Sequence, residues 1–530
     1  MPSRSAALFQ FNDRRPSIIH EVVDRIVRGT SDPLSVLNDA AYWETKRLSD
    51  HEGSELSEWR SLASSLGRLS QTELRSRLYR IALRYAEDIA GSFEPKVYSA
   101  ISRIAVPVIG TLLRPRRALS QLTHIGDLSA LDDRVLVQGP TAHIRRLAEH
   151  GTVVFVPTHL SNLDSVVFGF ALERSGLPPA TYGAGKNLFT NPVLSFFMQN
   201  LGAYKVDRRL KHALYKDVLK TYSAVLIEQG YHSLFFPGGT RSRSGGVERK
   251  LKLGLAGTGL EAFIRNRERN VDRKVFFVPA TINYLLTLEA ETLIDDFLKD
   301  EGKARYIIDD DESTRFGRVA SFMQKLVGLD ASVIIRFSRP IDCFGNFVDD
   351  LGQSYDARGH LVDAYSFIYD EKDQPIHSRA RDAEYTRELG ASISAAYLRD
   401  TVLMSTHLVA AVAFQSLAET VGQADLFALL RPRDHVNINR AVFLERLETL
   451  LTRVRDVALQ GEVAIAPNLA GRSAQEVLDE AVRAFSGYHT QEVLVLRGED
   501  VVLVNTRLVF YYQNRLAAHG LTLDFIAPRK

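Results

Sequence analysis

Residues Val153 to Asp164 read VVFVPTHLSNLD, and the fold turns on this stretch. Val153 to Val156 form an unbroken apolar run of β-branched and aromatic residues, the composition of a buried strand. Pro157 ends the strand because it has no N–H to give to a ladder. Ser161-Asn162-Leu163-Asp164 then precedes an apolar segment, Val166 to Leu172, in the pattern that opens a helix. His159 therefore falls in a strand-to-helix turn, at the carboxyl end of a strand. That is the edge at which open α/β sheets bind ligands.

His159 and Asp164 are five positions apart, which on one continuous helix would point them to different sides. With His159 before the helix and Asp164 in its first turn, the imidazole can fold back over the helix start to meet the carboxylate. A carboxylate on one ring nitrogen fixes the tautomer and leaves the other nitrogen to accept a proton. The same residues also match a capping box, in which Asp164 only satisfies backbone N–H groups. On these residues alone capping is the simpler reading, so the decision rests on what lies further along the chain.

Outward from this turn, Leu119 to about Ile341 alternates short apolar runs with amphipathic stretches, the signature of α/β layering. Strands are expected at Val153–Val156, Ala180–Ala184, Ala203–Val206, Ser233–Phe236, Val275–Val278 and Ser332–Phe337. Helices are expected from Val166 to Arg174, stopped by Gly176, and from Lys211 to Gln229, with Gly230 past its end. Pro16 to about Tyr98 reads as helical, with Leu74, Leu78, Ile81 and Tyr85 on one face. After Cys343 the chain turns to loops and short strands, then to helical sequence over Ala383–Ala424, including the apolar Leu403 to Leu417. A two-stranded ribbon of Glu492–Leu496 and Val501–Val504 is expected near the end, turned by Arg497-Gly498-Glu499-Asp500. The division is a helical region 1–118, an α/β unit 119–345 and an α+β region 346–530.

The chain has 530 residues, too many for one ordinary core. Its net charge of +2 argues against a wholesale nucleic-acid binder, so any functional basicity is local. The single cysteine, Cys343, excludes an internal disulfide framework and a cysteine-rich zinc site, and fits a reducing compartment. Met1 to Ile19 lacks the apolar core of a signal peptide, which favours the cytoplasm. No apolar run reaches spanning length. Ile104 to Leu113, flanked by Arg103, Arg114, Arg116 and Arg117, has the composition either of a buried element or of a plug that dips into an anionic bilayer surface. The acidic run Asp309 to Glu312 lacks the glycine and spacing of a calcium loop and reads as solvated surface.

Further charged segments follow successive strands. Tyr182-Gly183-Ala184-Gly185-Lys186-Asn187 suggests a phosphate loop but fails the pattern, since Ala180 replaces the first glycine and Asn187 the Ser or Thr. A glycine-lined wall with Lys186 nearby is the better description. Lys205-Val206-Asp207-Arg208-Arg209 comes next, and then Phe236-Pro237-Gly238-Gly239-Thr240-Arg241-Ser242-Arg243-Ser244-Gly245-Gly246. Its glycines let successive N–H groups point inward as an anion nest, while Arg241 and Arg243 add planar donors suited to a phosphate. Arg249, Lys250 and Lys252 extend the positive field. Val278 to Tyr284, VPATINY, is expected to end a strand and shape an apolar wall.

In this order, HLSNLD, GAGKNLF with LGAYKVDRR, GGTRSRSG and VPATINY resemble the four blocks of the glycerolipid acyltransferases, most closely the glycerol-3-phosphate acyltransferases. The resemblance covers roughly Gly151 to Ile341, and STHLVAAVAF and YYQNRL are similar to the tail of bacterial membrane-associated members. It implies a mixed α/β sheet flanked by helices. It also implies transfer of a fatty acyl group from coenzyme A or acyl carrier protein to the 1-hydroxyl of glycerol 3-phosphate, at the cytoplasmic membrane surface, with no metal and no cofactor beyond the acyl thioester. By position, His159 would be the general base and Asp164 its orienting acid. Arg208 or Arg209, with Arg241 and Arg243, would hold the phosphate, and Gly239, Thr240, Ser242 and Lys186 would line the site. One departure stands out: many relatives carry Glu where this chain has Gly238. Lysophosphatidate or dihydroxyacetone phosphate as acceptor, and a non-catalytic lipid- or phosphate-binding scaffold, remain alternatives.

Overall fold

The structure, a computed structural model, describes residues 7–49, 53–99, 135–190, 192–301, 333–422, 425–431, 436–486 and 488–521. The arginine-flanked segment at 104–113 and the acidic run at 309–312 lie outside these residues. The chain opens with four helices, α1 (Phe11–Gly29), α2 (Pro33–Arg47), α3 (Ser54–Ser65) and α4 (Gln71–Ile89). A Ser70–Glu73 capping box starts α4, satisfying two of the N–H groups a helix start leaves over. Leu74, Leu78 and Tyr85 then pack with Ile18, Val22 and Ile26 of α1, as the helical spacing requires.

The central unit follows as β1 (Val135–Gln138), α5 (Thr141–His150), β2 (Gly151–Pro157), α6 (Asp164–Arg174), β3 (Thr181–Gly185) and α7 (Pro192–Asn200). It continues through β4 (Ala203–Val206), α8 (Ala213–Glu228), β5 (Ser233–Leu234), α9 (Ala256–Glu268), β6 (Lys274–Tyr284), α10 (Ala290–Glu301) and β7 (Val333–Phe337). The seven strands form one sheet in the order β1-β7-β6-β2-β5-β3-β4. Strands β2 to β6 run parallel; β7 is antiparallel to β6, and β1 pairs parallel to β7. The fold is thus the expected mixed α/β sheet with helices around it. Strand β2 sits centrally with Val153 to Val156 wholly buried, and every parallel strand delivers its carboxyl end to one edge. The helical region belongs to the same body, since its core includes Tyr204, Leu214, Tyr222 and Tyr231.

Three expectations need correcting. Pro279 does not end β6, which runs on to Tyr284. The strand changes partners there: Phe277 exchanges backbone hydrogen bonds with Ile341, and Ala280 begins the antiparallel ladder with β7. The missing proline N–H falls in the gap between the two. The stretch 383–424, expected to be helical, divides into two helices, α11 (Arg379–Asp400) and α12 (Ser405–Val421). They part where Val402 N–H donates to Asn283 Oδ1 and Val402–Leu403 pairs parallel to Ala464–Ile465. The terminal ribbon, Leu494–Arg497 with Asp500–Leu503, gains a third strand, Val436–Asn439.

Four more α-helices follow among the described residues: α13 (Leu426–Leu430), α14 (Arg440–Leu459), α15 (Ala474–Phe485) and α16 (Thr506–Ala517). Their apolar faces close on the nearly all-buried α12. One buried cluster runs from Ile144, Phe155 and Ile282 through Leu408 and Val412 to Leu508 and Leu516. Packing is therefore continuous across residue 345.

Candidate active site

His159 stands two residues past the end of β2, and α6 opens at Asp164. The His159 Nδ1 lies 2.8 Å from Asp164 Oδ2. The same oxygen accepts the N–H groups of Leu160 (2.6 Å) and Ser161 (2.9 Å), and Oδ1 accepts the Tyr284 hydroxyl (2.7 Å). Capping and orienting are therefore one arrangement: the turn is wound around a buried carboxylate with three partners on Oδ2 and one on Oδ1. Because that carboxylate only accepts, Nδ1 carries the proton and Nε2 holds the lone pair. Among the described residues Nε2 has no hydrogen-bond partner, and the side chain is 15% exposed, so it is open to a substrate.

The imidazole is fixed from three other directions. It stacks on Phe236, with centroids 4.3 Å apart. Its backbone N–H donates to Glu248 Oε1 (2.9 Å), and its carbonyl accepts the N–H of Ser242 (2.7 Å). The last contact ties the glycine- and arginine-rich loop directly to the base. Gly239 has φ +72°, a conformation L side chains rarely adopt, and Ser242 Oγ donates to the Gly246 carbonyl at 2.8 Å. Thr240 is exposed.

The predicted cations separate by partner. Arg209 is bound to Asp207 through its Nε (3.0 Å) and Nη2 (2.7 Å), and Lys186 to Asp88 of α4 (2.7 Å). Arg243 pairs with Asp300 of α10. Arg241 reaches buried Glu289 (3.4 Å), which also accepts the N–H of Asn162, so Arg241 is tethered to the His159 turn. Arg208 has no carboxylate partner among the described residues. Arg208 is exposed, and the protein atoms around its guanidinium, then the like charge of Arg241, hold its pKa below the ordinary arginine value.

Four residues that complete the arrangement were not singled out from sequence: Tyr284, Glu248, Glu289 and Arg515. Tyr284, expected from its segment to shape an apolar wall, instead donates to Asp164. Burial, and then the Asp164 charge, push its hydroxyl well above the tyrosine range, so it stays a donor. Arg515 of α16 is buried and donates to the Ile282 carbonyl (3.3 Å). No local spacing marks these residues, because each arrives from a distant element.

A family model described as Acyltransferase matches residues 138–283, the span from the end of β1 into β6. A protein of Pseudomonas paraeruginosa named glycerol-3-phosphate acyltransferase is 28% identical over 288 residues, which are 52% of this chain and 30% of that protein. Its namesake in Ectopseudomonas mendocina is 31% identical over 167 residues, 31% of this chain and 20% of the relative. The one in Xanthomonas axonopodis pv. citri is 29% identical over 199 residues, 37% and 21% respectively. The chain thus matches less than a third of the length of these curated relatives.

Proposed function

We propose that this chain, whose residues 138–283 form an acyltransferase domain, moves a fatty acyl group from a thioester of coenzyme A or acyl carrier protein to the 1-hydroxyl of glycerol 3-phosphate. The product is 1-acylglycerol 3-phosphate and the free thiol. The observation that carries the reading is the Asp164-bound imidazole, with open Nε2, tied through Ser242 to a loop bearing Arg241.

In this reading Nε2 takes the proton of the acceptor hydroxyl as its oxygen attacks the thioester carbonyl. A positioned base contributes roughly a hundredfold to ten-thousandfold. Asp164 keeps the tautomer and stabilises the imidazolium. As the tetrahedral intermediate collapses, the C–S bond breaks and the imidazolium returns its proton to the thiolate. Backbone N–H groups of the glycine-rich loop are the natural donors to the developing oxyanion. Arg208, with Arg241, takes the phosphate, which sets the hydroxyl against the base. Arg243 and Lys186, already paired to acids, shape the surrounding field, and Gly239, Thr240 and Ser242 form the loop beneath. Attachment to the cytoplasmic membrane surface goes with a product carrying a fatty chain; no helix among the described residues is long and apolar enough to cross a membrane.

The test is an acyl-transfer assay offering glycerol 3-phosphate, dihydroxyacetone phosphate and lysophosphatidate with both thioester donors. Glycerol 3-phosphate should give the highest kcat/KM. A higher value with either other acceptor would reassign the substrate, and no transfer to any would remove the catalytic reading.

A further inference from the structure

Directly behind the base lies a carboxyl group that the proposed chemistry does not use. We propose that Glu248 is the positioning residue for His159, holding the base by its backbone N–H through a space that only a glycine at 238 leaves open. The proposal rests on His159 being the acyl-transfer base.

Glu248 Oε1 accepts the His159 N–H at 2.9 Å, so the carboxyl sets the height of the imidazole above the β2 edge. A Cβ placed on Gly238 would come within 2.5 Å of Oε2 and 2.6 Å of Cδ, closer than real atoms approach. The carboxyl of residue 248 thus occupies the volume into which a side chain at 238 would point. The two positions compete for one place beneath His159. The residue as a whole is half-buried, but Oε2 is shut off from solvent and has no hydrogen-bond partner among the described residues. A carboxyl held this way needs a compensating reason for its burial. The groups that face it are Arg515 of α16, Asp164 of α6 and Tyr397 of α11. Burial, opposed by the His159 N–H and by Arg515, pushes the carboxyl up to about 8. Near neutrality it therefore keeps its proton, and Oε1 still accepts the His159 N–H.

A glutamine keeps the acceptor and loses the titration; an alanine loses both. Glu248→Ala should lower kcat about tenfold to a hundredfold, the cost of displacing a catalytic group by about an ångström, with KM for each substrate within about twofold. Glu248→Gln should restore kcat near pH 7, and the unaltered enzyme should show an inflection near pH 8 that this variant lacks. Gly238→Glu should be nearly inactive, and the double variant Gly238→Glu/Glu248→Gly should recover activity above either Gly238→Glu or Glu248→Gly. A Glu248→Ala enzyme with unchanged kcat, a Glu248→Gln enzyme as slow as the alanine, or a double variant no better than its parents would each overturn the proposal. Should Glu248→Ala fail to fold, the pH profile of Glu248→Gln still decides. Full activity in His159→Ala would instead overturn the base assignment itself.

Discussion

Asp164 takes four hydrogen bonds on two oxygens, and the balance between His159 and Tyr284 on them sets the base. At this scale the arginines make the sharpest prediction. Arg208→Ala should raise KM for glycerol 3-phosphate about tenfold to a hundredfold, the equivalent of about 1.5–3 kcal/mol for a charge-assisted hydrogen bond, and leave KM for the acyl donor unchanged. Arg209→Ala, which removes a cation already bound to Asp207, should change either KM by less than about threefold. Steady-state kinetics with each substrate varied in turn separates the two. Glu248 gives a pH dependence. Its folded value lies above its ordinary 4.5, so the stability it contributes is fully present below about 4.5 and is lost as pH rises through about 8. Glu248→Gln should flatten the fall in Tm across that window, and an unchanged slope would contradict the burial argument. His159 and Asp164 were legible because five residues and one turn bring them together. Tyr284, 120 residues beyond Asp164, and Glu248, 89 beyond His159, were not, since only the assembled sheet juxtaposes them.

Among the elements, the loop from Phe236 to Gly246 joins the site to the rest of the chain. Gly245 has φ +77°, and a Cβ there would fall 2.3 Å from the Tyr511 carbonyl of α16. Asn514 Nδ2 donates to the Ser244 carbonyl at 2.8 Å from the same helix. Gly245→Ala should therefore cost at least about 1–3 kcal/mol in strain and lower kcat/KM for the phosphate acceptor, because the loop lifts from its support. Urea unfolding and kinetics on the one variant check both; unchanged stability would mean that the approach is not tight. Parallel strands and their helices could be read from periodicity, as β2 and α8 show. The extension of β6 past Pro279 could not, because a proline in an apolar run signals an end unless the neighbouring strand changes at that residue.

In the whole molecule the catalytic sheet and the C-terminal helices share one core. Leu408, fully buried on α12, belongs to the same cluster as Phe155 and Ile282. Leu408→Ala should destabilise by about 2–5 kcal/mol and shift the loss of acyl transfer and the loss of helical signal together along a denaturant series. Two separated transitions would show that the C-terminal region folds on its own. The sequence pattern marks three regions by composition, but which faces they bury against one another is a property of the assembled fold.

One imidazole does the proposed chemistry while arginines hold the acceptor, and that division of labour is open to experiment. It is tested most directly by His159→Ala, with acyl transfer and calorimetric binding of glycerol 3-phosphate measured on the same preparation. Turnover should fall at least about a hundredfold with Kd for glycerol 3-phosphate within about threefold of the unaltered enzyme; turnover that survives the substitution would rule out His159 as the base.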